Sequence, residues 1–384
     1  MDFAFATSNR ILFGDGRVGE AGKISSEYGS KAFVITGSTP ERAAPLIESL
    51  QSHGMLYTEF SLSQEPTIEV VTNGLERARA FAPDVVIGIG GGSVLDTGKA
   101  IAVLLTNGDD PLDFLEVIGR GKPLQNPSKP YIAIPTTSGT GSEVTRNAVL
   151  ASKEHHVKVS LRSVIMLPDV ALIDPSLTRD VPPHVTASTG LDALTQVIEP
   201  YISRRRNPMT DGFCLEGIPR AAHALQQAYL DGSDADARRD MAITSLMGGL
   251  ALTNAGLGAV HGFAGPFGGM FHAPHGAICA ALLPHVLEVN RKALVARALE
   301  DEALSRLERI GKLVTSDPSA NAQEGISWIR NLVEALQIPA LRTYGFARGD
   351  FPDVIEKANV SSSMRGNPIE LTEIELEEIL ELAY

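Results

Sequence analysis

DVVIGIGGGSVLDTGK, residues 84–99, changes its period partway along. The run DVVIGIG (84–90) is continuous, apolar and rich in β-branched residues, as in a strand buried on both faces. From Ser93 to about Leu105 the apolar positions recur at helical spacing. Between the two lies GGGS, Gly90 to Ser93. Residues without Cβ atoms let backbone N–H groups approach a phosphate closely, and the helix N-terminus beyond them adds favourable partial charge. The other reading is a tight turn needing positive φ, for which one glycine would suffice.

Outward from this segment the same alternation continues. KAFVITG (31–37) reads as a strand, Pro40 to His53 as a helix, LYTEFSL (56–62) as a strand, Ile68 to Phe81 as a helix and YIAIPTT (131–137) as a strand. Strand and helix in turn predict a parallel sheet covered on both faces. Past Pro182-Pro183 the β-rich runs cease, and the rest reads as helices rich in Ala, Leu and Glu. The expected architecture is an α/β domain over 1–182 followed by an all-helical domain over 183–384. Ligands of open parallel sheets bind at the carboxyl ends of strands, which singles out the turns after VVIGIG and YIAIPTT. The second leads into GTGS (139–142), whose hydroxyls can bond a polar ligand. A Walker loop does not fit, because Ser93 stands where its first glycine would be and Ala100 follows Gly98-Lys99. A GxGxxG fingerprint from Gly88 likewise meets Ser93 at its third glycine.

Composition narrows the function classes. The chain has 384 residues, 43% of them apolar, with 36 Gly, two Cys and a net charge of −13. An acidic balance argues against nucleic acid or an anionic membrane as partner, which leaves a small-molecule substrate. Cys214 and Cys279 make no disulfide framework, there is no CxxC, and MDFAFATSNR lacks a basic region before its apolar run. A reducing cytoplasm is the expected compartment. From Met241 to Leu287 no Lys, Arg, Asp or Glu occurs, yet the stretch holds nine Gly and four His. Gly and Pro interrupt it too often for a membrane span, so a buried, His-bearing interior is expected. His285 reads as structural and His155-His156 as solvated surface.

GGGSVLDTGK (90–99) and PTTSGTGSE (135–143) together resemble the signature elements of the iron-containing (group III, metal-dependent) alcohol dehydrogenases, with Gly98 in place of the usual Ala. LPDVALIDPSL (167–177), TASTGLDAL (186–194), PHGAICAALLPHVLEVN (274–290) and NPIELTEIELEEILELAY (367–384) extend the resemblance over nearly the whole chain. It implies an NAD(P)-binding domain, a helical domain carrying a divalent metal, hydride transfer between alcohol and carbonyl in the cleft between them, and a homodimer. The β-rich MDFAFATSNRILFG is a candidate to add strands at a subunit edge. Gly90, Gly91, Gly92 and Ser93 would hold the cofactor diphosphate, with Asp96 of the same element grouped among the cofactor residues. Thr136, Thr137 and Ser142 would line the ribose sides. Members that prefer NAD tend to carry an acid after the first strand; here Gly37 and Ser38 stand there, so use of NADP as well as NAD is expected.

The resemblance also sets out the metal ligands and where this chain departs from them. Asp192, His261 and His275 match, but the position four residues after Asp192 is Gln196 instead of His. An i, i+4 pair shares one helix face, so Gln196 would offer a neutral carbonyl oxygen to an Fe2+ or Zn2+ ion. Gly265 replaces a further His of many relatives, while His272 is added three residues before His275. If no ion binds, His272 and Lys158 are the candidate proton donors to the developing oxyanion. Three readings follow: a metal-assisted alcohol dehydrogenase; a metal-independent reductase of an anionic keto acid, resembling maleylacetate reductases, with Lys158, Arg146 and Arg162 as anion site; and a cofactor-binding protein without turnover.

Overall fold

The computed structural model describes residues 2–62, 65–152, 154–155 and 157–384. His156 of the expected solvated pair lies outside the described residues, and His155 is exposed. The chain divides into two compact units, one made of Ala6–Thr137 and Gly141–Arg179, the other of Ser138–Thr140, Asp180–Tyr384 and the N-terminal residues through Phe5.

In the first unit, β1 (Arg10–Phe13), α1 (Ala21–Ser26), β2 (Lys31–Thr36), α2 (Ala44–Ser52), β3 (Leu56–Ser61), α3 (Ile68–Phe81), β4 (Val85–Gly90), α4 (Gly92–Asn107) and β5 (Tyr131–Pro135) follow in turn, then β6 (Asn147–Ser152), β7 (Val157–Arg162) and β8 (Val170–Ile173). Six strands form a parallel sheet in the order β1-β8-β5-β4-β2-β3. Alternate residues of the continuous apolar strands enter two cores. Phe33, Ile35 and Val86 pack with Leu75, Leu95 and Ile101, whereas Val34, Ile87 and Ile134 pack with Leu46 and Leu50. Burial on both faces is why these strands show no polar alternation.

The unusual Gly98 has a local explanation. A Cβ there would lie 2.5 Å from the Tyr131 hydroxyl, which donates to the Leu95 carbonyl at 3.0 Å. The tyrosine of β5 fills the space that an alanine methyl would occupy on α4.

Two features differ from expectation. Among the described residues of MDFAFATSNRILFG, only Arg10–Phe13 forms a strand, and it pairs in parallel with β8 of its own sheet. β6 and β7 form an antiparallel hairpin, Asn147 opposite Arg162 and Ser152 opposite Val157. Their alternating buried and half-exposed residues carry a weaker signal than the fully buried parallel strands.

The second unit is helical: α5 (Pro183–Ile202), α6 (Pro208–Leu230), α7 (Ala235–Ala255), α8 (Ala259–Phe271), α9 (His275–Arg297), α10 (Glu302–Thr315), α11 (Ala322–Ala335), α12 (Phe351–Asn359) and α13 (Glu373–Ala383). Starts are marked by side-chain caps: Asn207 for α6, Asp234 for α7, Asn321 with Glu324 for α11 and Thr372 with Glu375 for α13. From Leu191 to Ile202 every residue of α5 is buried, the helix being packed by α6, α7 and α9. The charge-free stretch runs through α7, α8 and the first half of α9. Among the described residues no single helix is long and apolar enough to cross a membrane; α7 and α8 pass such a test only jointly, across a bend of 98°.

Candidate metal centre and nucleotide turn

The candidate nucleotide turn is made by backbone. In the sheet, β2 is followed by β3 on one side while β4 returns to the other, so the order reverses between β2 and β4. The crevice outside the carboxyl ends at such a reversal is where parallel sheets bind nucleotides. Gly37 and Ser38 follow β2 there, and Gly90 to Ser93 follow β4. None of Gly90, Gly91 and Gly92 has a positive φ, so the turn does not need glycine for its backbone angles. Space is the reason at Gly90, where a Cβ would lie 2.5 Å from Val94 Cγ2. Gly91 is the N-cap of α4 and brings no capping side chain; a Cβ on it would lie 3.4 Å from Thr137 Oγ1, which places that hydroxyl beside the turn.

Asp96 and Ser142 face each other. Ser142 donates to Asp96 Oδ1 at 2.5 Å, the Val149 amide donates to Oδ2 at 2.8 Å, and the fully buried Lys99 ammonium lies 3.1 Å from Oδ1. Lys99 also donates to the Ser142 carbonyl at 3.0 Å and to Thr145 Oγ1 at 2.7 Å. Asp96 thus ties α4 to the segment after the second glycine turn, which gives it a positioning part. Nearby, burial pushes the Glu143 carboxyl up from 4.5 to about 7.

Lys158, on β7, is committed to Glu65 at 2.8 Å. In this structure its ammonium thus faces a carboxylate of the same unit. His272 ends α8 as an exposed residue with φ 51°. A left-handed backbone is uncommon for a residue with a Cβ, and it turns the chain sharply from α8 into α9.

The metal-ligand candidates are made by side chains of three helices. Asp192 comes from the buried middle of α5, His261 from the first turn of α8 and His275 from the first residue of α9. Gly276 permits the last of these approaches, since a Cβ on it would overlap the Ser188 carbonyl oxygen of α5. His261 Nε2 lies 3.3 Å and His275 Nε2 3.8 Å from Asp192 Oδ1. Cys279, one turn along α9 from His275, places Sγ 3.8 Å from His261 Nε2 and 3.7 Å from His275 Nε2. One ligand atom from each of these four residues falls within 4.8 Å of the others.

Glu199, one further turn along α5 than Gln196, orients the centre. Its Oε2 accepts from His261 Nδ1 at 2.6 Å and its Oε1 accepts from the Val260 amide at 2.8 Å. The carboxylate therefore caps the N-terminus of α8 and directs Nε2 of His261 at Asp192. A Cβ on Gly258 would lie 2.8 Å from Glu199 Oε1, so glycine keeps that cap accessible.

The electrostatics call for a cation. Asp192 Oδ1 and Gln196 Oε1 are buried without a hydrogen-bond donor, although Gln196 Nε2 donates to the Gly139 carbonyl at 3.1 Å. Burial opposes a charged imidazole, yet the Asp192 and Glu199 carboxylates outweigh it and hold His261 well above the usual histidine range. Burial alone would raise the Asp192 carboxyl, but His275 and His261 bring it below the usual range. Burial also pushes the Cys279 thiol up to about 12. Buried unpartnered oxygens, an imidazole held by a carboxylate and a second imidazole are a donor set suited to a divalent ion. By contrast, burial lowers His285 to about 4, as expected for a neutral structural histidine.

Residue analysis of the sequence overlooked Glu199 and Cys279. The spacing that linked Asp192 to position 196 also links His275 to Cys279, and this was the available signal. Nothing local marks Glu199, whose partner lies 62 residues away.

Residues 8–175 match the family model described as iron-containing alcohol dehydrogenase, and residues 186–384 match the C-terminal model of the Fe-containing alcohol dehydrogenase family. Alcohol dehydrogenase 4 of Saccharomyces cerevisiae (strain YJM789) is 35% identical over 383 residues, covering 97% of this chain and 96% of the relative. A crystal structure of 1,3-propanediol oxidoreductase superposes with a TM-score of 0.92 at 32% identity, over 100% of both chains. Sulfoacetaldehyde reductase from Bifidobacterium kashiwanohense, solved with NAD+, superposes with a TM-score of 0.87 at 26% identity, over 99% of this chain and 98% of that one. The chain belongs to the iron-containing alcohol dehydrogenase family.

Proposed function

We infer that this oxidoreductase interconverts an alcohol and its aldehyde or ketone, with the nucleotide diphosphate held at Gly90 to Ser93 and a divalent ion held by Asp192, His261 and His275. The observation that carries this reading is the convergence of buried, unpartnered or oriented donor atoms from α5, α8 and α9. A bound ion would polarise the substrate oxygen and stabilise its alkoxide character, while the nicotinamide exchanges the hydride. With Nδ1 of His261 bonded to Glu199, its Nε2 would be the atom offered to the ion. The leading amides of α4 would face the diphosphate, and Thr136 and Thr137 follow the adjoining strand β5. No carboxylate occupies positions 37–39, where an acid would repel a 2′-phosphate, and we assign use of both NAD and NADP.

The keto-acid reading has less support. Lys158 is paired with Glu65 at 2.8 Å, and Arg162 lies 3.9 Å from Glu116, so these charges are already balanced. With the ion as the electrophile, neither Lys158 nor His272 is required as proton donor. We retain the homodimer as part of the proposal, with β1 at a sheet edge as the element to probe.

Purified protein assayed by nicotinamide absorbance against alcohols, aldehydes and keto acids, before and after chelation, tests this reading. Turnover should depend on the ion, and kcat/KM for NADP should lie within about tenfold of that for NAD. Full activity in protein shown to hold no ion would sink the metal reading, and a strong NAD preference would sink the cofactor assignment.

A further inference from the structure

We propose that Cys279 is a metal ligand in this chain, so that a thiolate from α9 takes the coordination position vacated on α5 where Gln196 stands. The proposal rests on the functional reading above and concerns the identity of the donor set. Three observations carry it. Cys279 Sγ is 3.8 Å from His261 Nε2 and 3.7 Å from His275 Nε2, and His261 Nε2 is 3.3 Å from Asp192 Oδ1. For an ion with metal–nitrogen and metal–oxygen bonds of about 2.0–2.1 Å and a metal–sulfur bond of about 2.3 Å, the edges of a tetrahedron are about 3.3–3.6 Å. The separations therefore suit one ion among these four atoms after small adjustments.

The other two observations concern charge and chain geometry. Asp192 Oδ1 is buried and has no hydrogen-bond donor, so it is an independent sign that the space is meant for a cation. Gln196 brings no charge, and its amide is anchored by Nε2 to the Gly139 carbonyl. Asp192 and a Cys279 thiolate together balance a dication, which Asp192 and a neutral amide do not. His275 and Cys279 stand one helical turn apart and share a face, the same spacing as Asp192 and position 196. On binding, the thiol releases one proton and its sulfur lone pair forms the bond to the ion. A sulfur ligand favours zinc over harder ions.

Cobalt(II) added to metal-free full-length protein tests the proposal, since a thiolate ligand produces a near-ultraviolet sulfur-to-cobalt charge-transfer band. The band should form in the unaltered protein, be lost in Cys279→Ser and persist in Gln196→Ala and Cys214→Ser, with bound cobalt counted in each. Should Cys279→Ser fail to fold, X-ray absorption of the zinc-loaded protein gives the same answer through a sulfur neighbour at about 2.3 Å. Bound cobalt without the band, or zinc with nitrogen and oxygen neighbours only, overturns the proposal and leaves the metal-dependent function intact. Failure to bind any ion overturns both.

Discussion

The two candidate sites of this chain are built on opposite principles. The nucleotide turn is contiguous, made from backbone at Gly90 to Ser93 between β4 and α4, and depends on the absence of side chains. The metal centre is dispersed, made from side chains of Asp192, His261, His275 and Cys279 on three helices, with Glu199 behind it. A contiguous turn is sensitive to added volume; a dispersed centre is sensitive to the loss of any donor.

The largest effect should come from removing a donor. His261→Ala is expected to abolish retention of the ion and reduce kcat by about 10³-fold, the equivalent of several kcal/mol of charge stabilisation. Metal analysis beside steady-state rates checks this, and a variant that keeps its ion and its rate would remove His261 from the centre. Next comes Glu199→Gln, which retains the shape but weakens the bond that orients His261; metal affinity should fall about 10–100-fold. An unchanged dissociation constant would show that Glu199 serves α8 alone.

Gly91→Val tests the other site. A side chain at the N-cap should raise the KM for NAD(P) about tenfold, a cost of roughly 1.4 kcal/mol, while leaving metal content unchanged. Loss of metal in this variant would break the contrast between the sites. The smallest effect on turnover is expected from Glu143→Gln, which instead changes the pH dependence of stability. Burial raises the Glu143 pKa from 4.5 to about 7, so the folded state binds its proton more tightly than the unfolded chain. Its contribution is then most favourable below about pH 4.5 and is lost as pH rises through about 7, by on the order of 3 kcal/mol. Denaturant midpoints should fall less steeply between pH 5 and pH 8 in the Gln variant than in the unaltered protein.

Legibility in the sequence followed the same division. Strands such as Lys31–Thr36 and Val85–Gly90 and helices such as Ile68–Phe81 stand close to where periodicity predicts them, because burial on both faces leaves a continuous apolar record. The hairpin of β6 and β7 was missed because half-exposed strands leave a weaker one. Nothing local marks the ion pair of Lys158 with Glu65, which spans 93 residues.

Order along the chain determined the parallel sheet, the helical second half and the glycine turn after β4, since each depends on local spacing and on residues adjacent in sequence. The family motifs likewise pointed to Asp192, His261 and His275. Tertiary structure alone decided that Cys279 joins them, that Glu199 orients His261, that Asp96 is engaged by Ser142 and that Tyr131 accounts for Gly98. Each of these depends on which helix or strand packs against which, and that is determined by the whole buried core, not by any one segment.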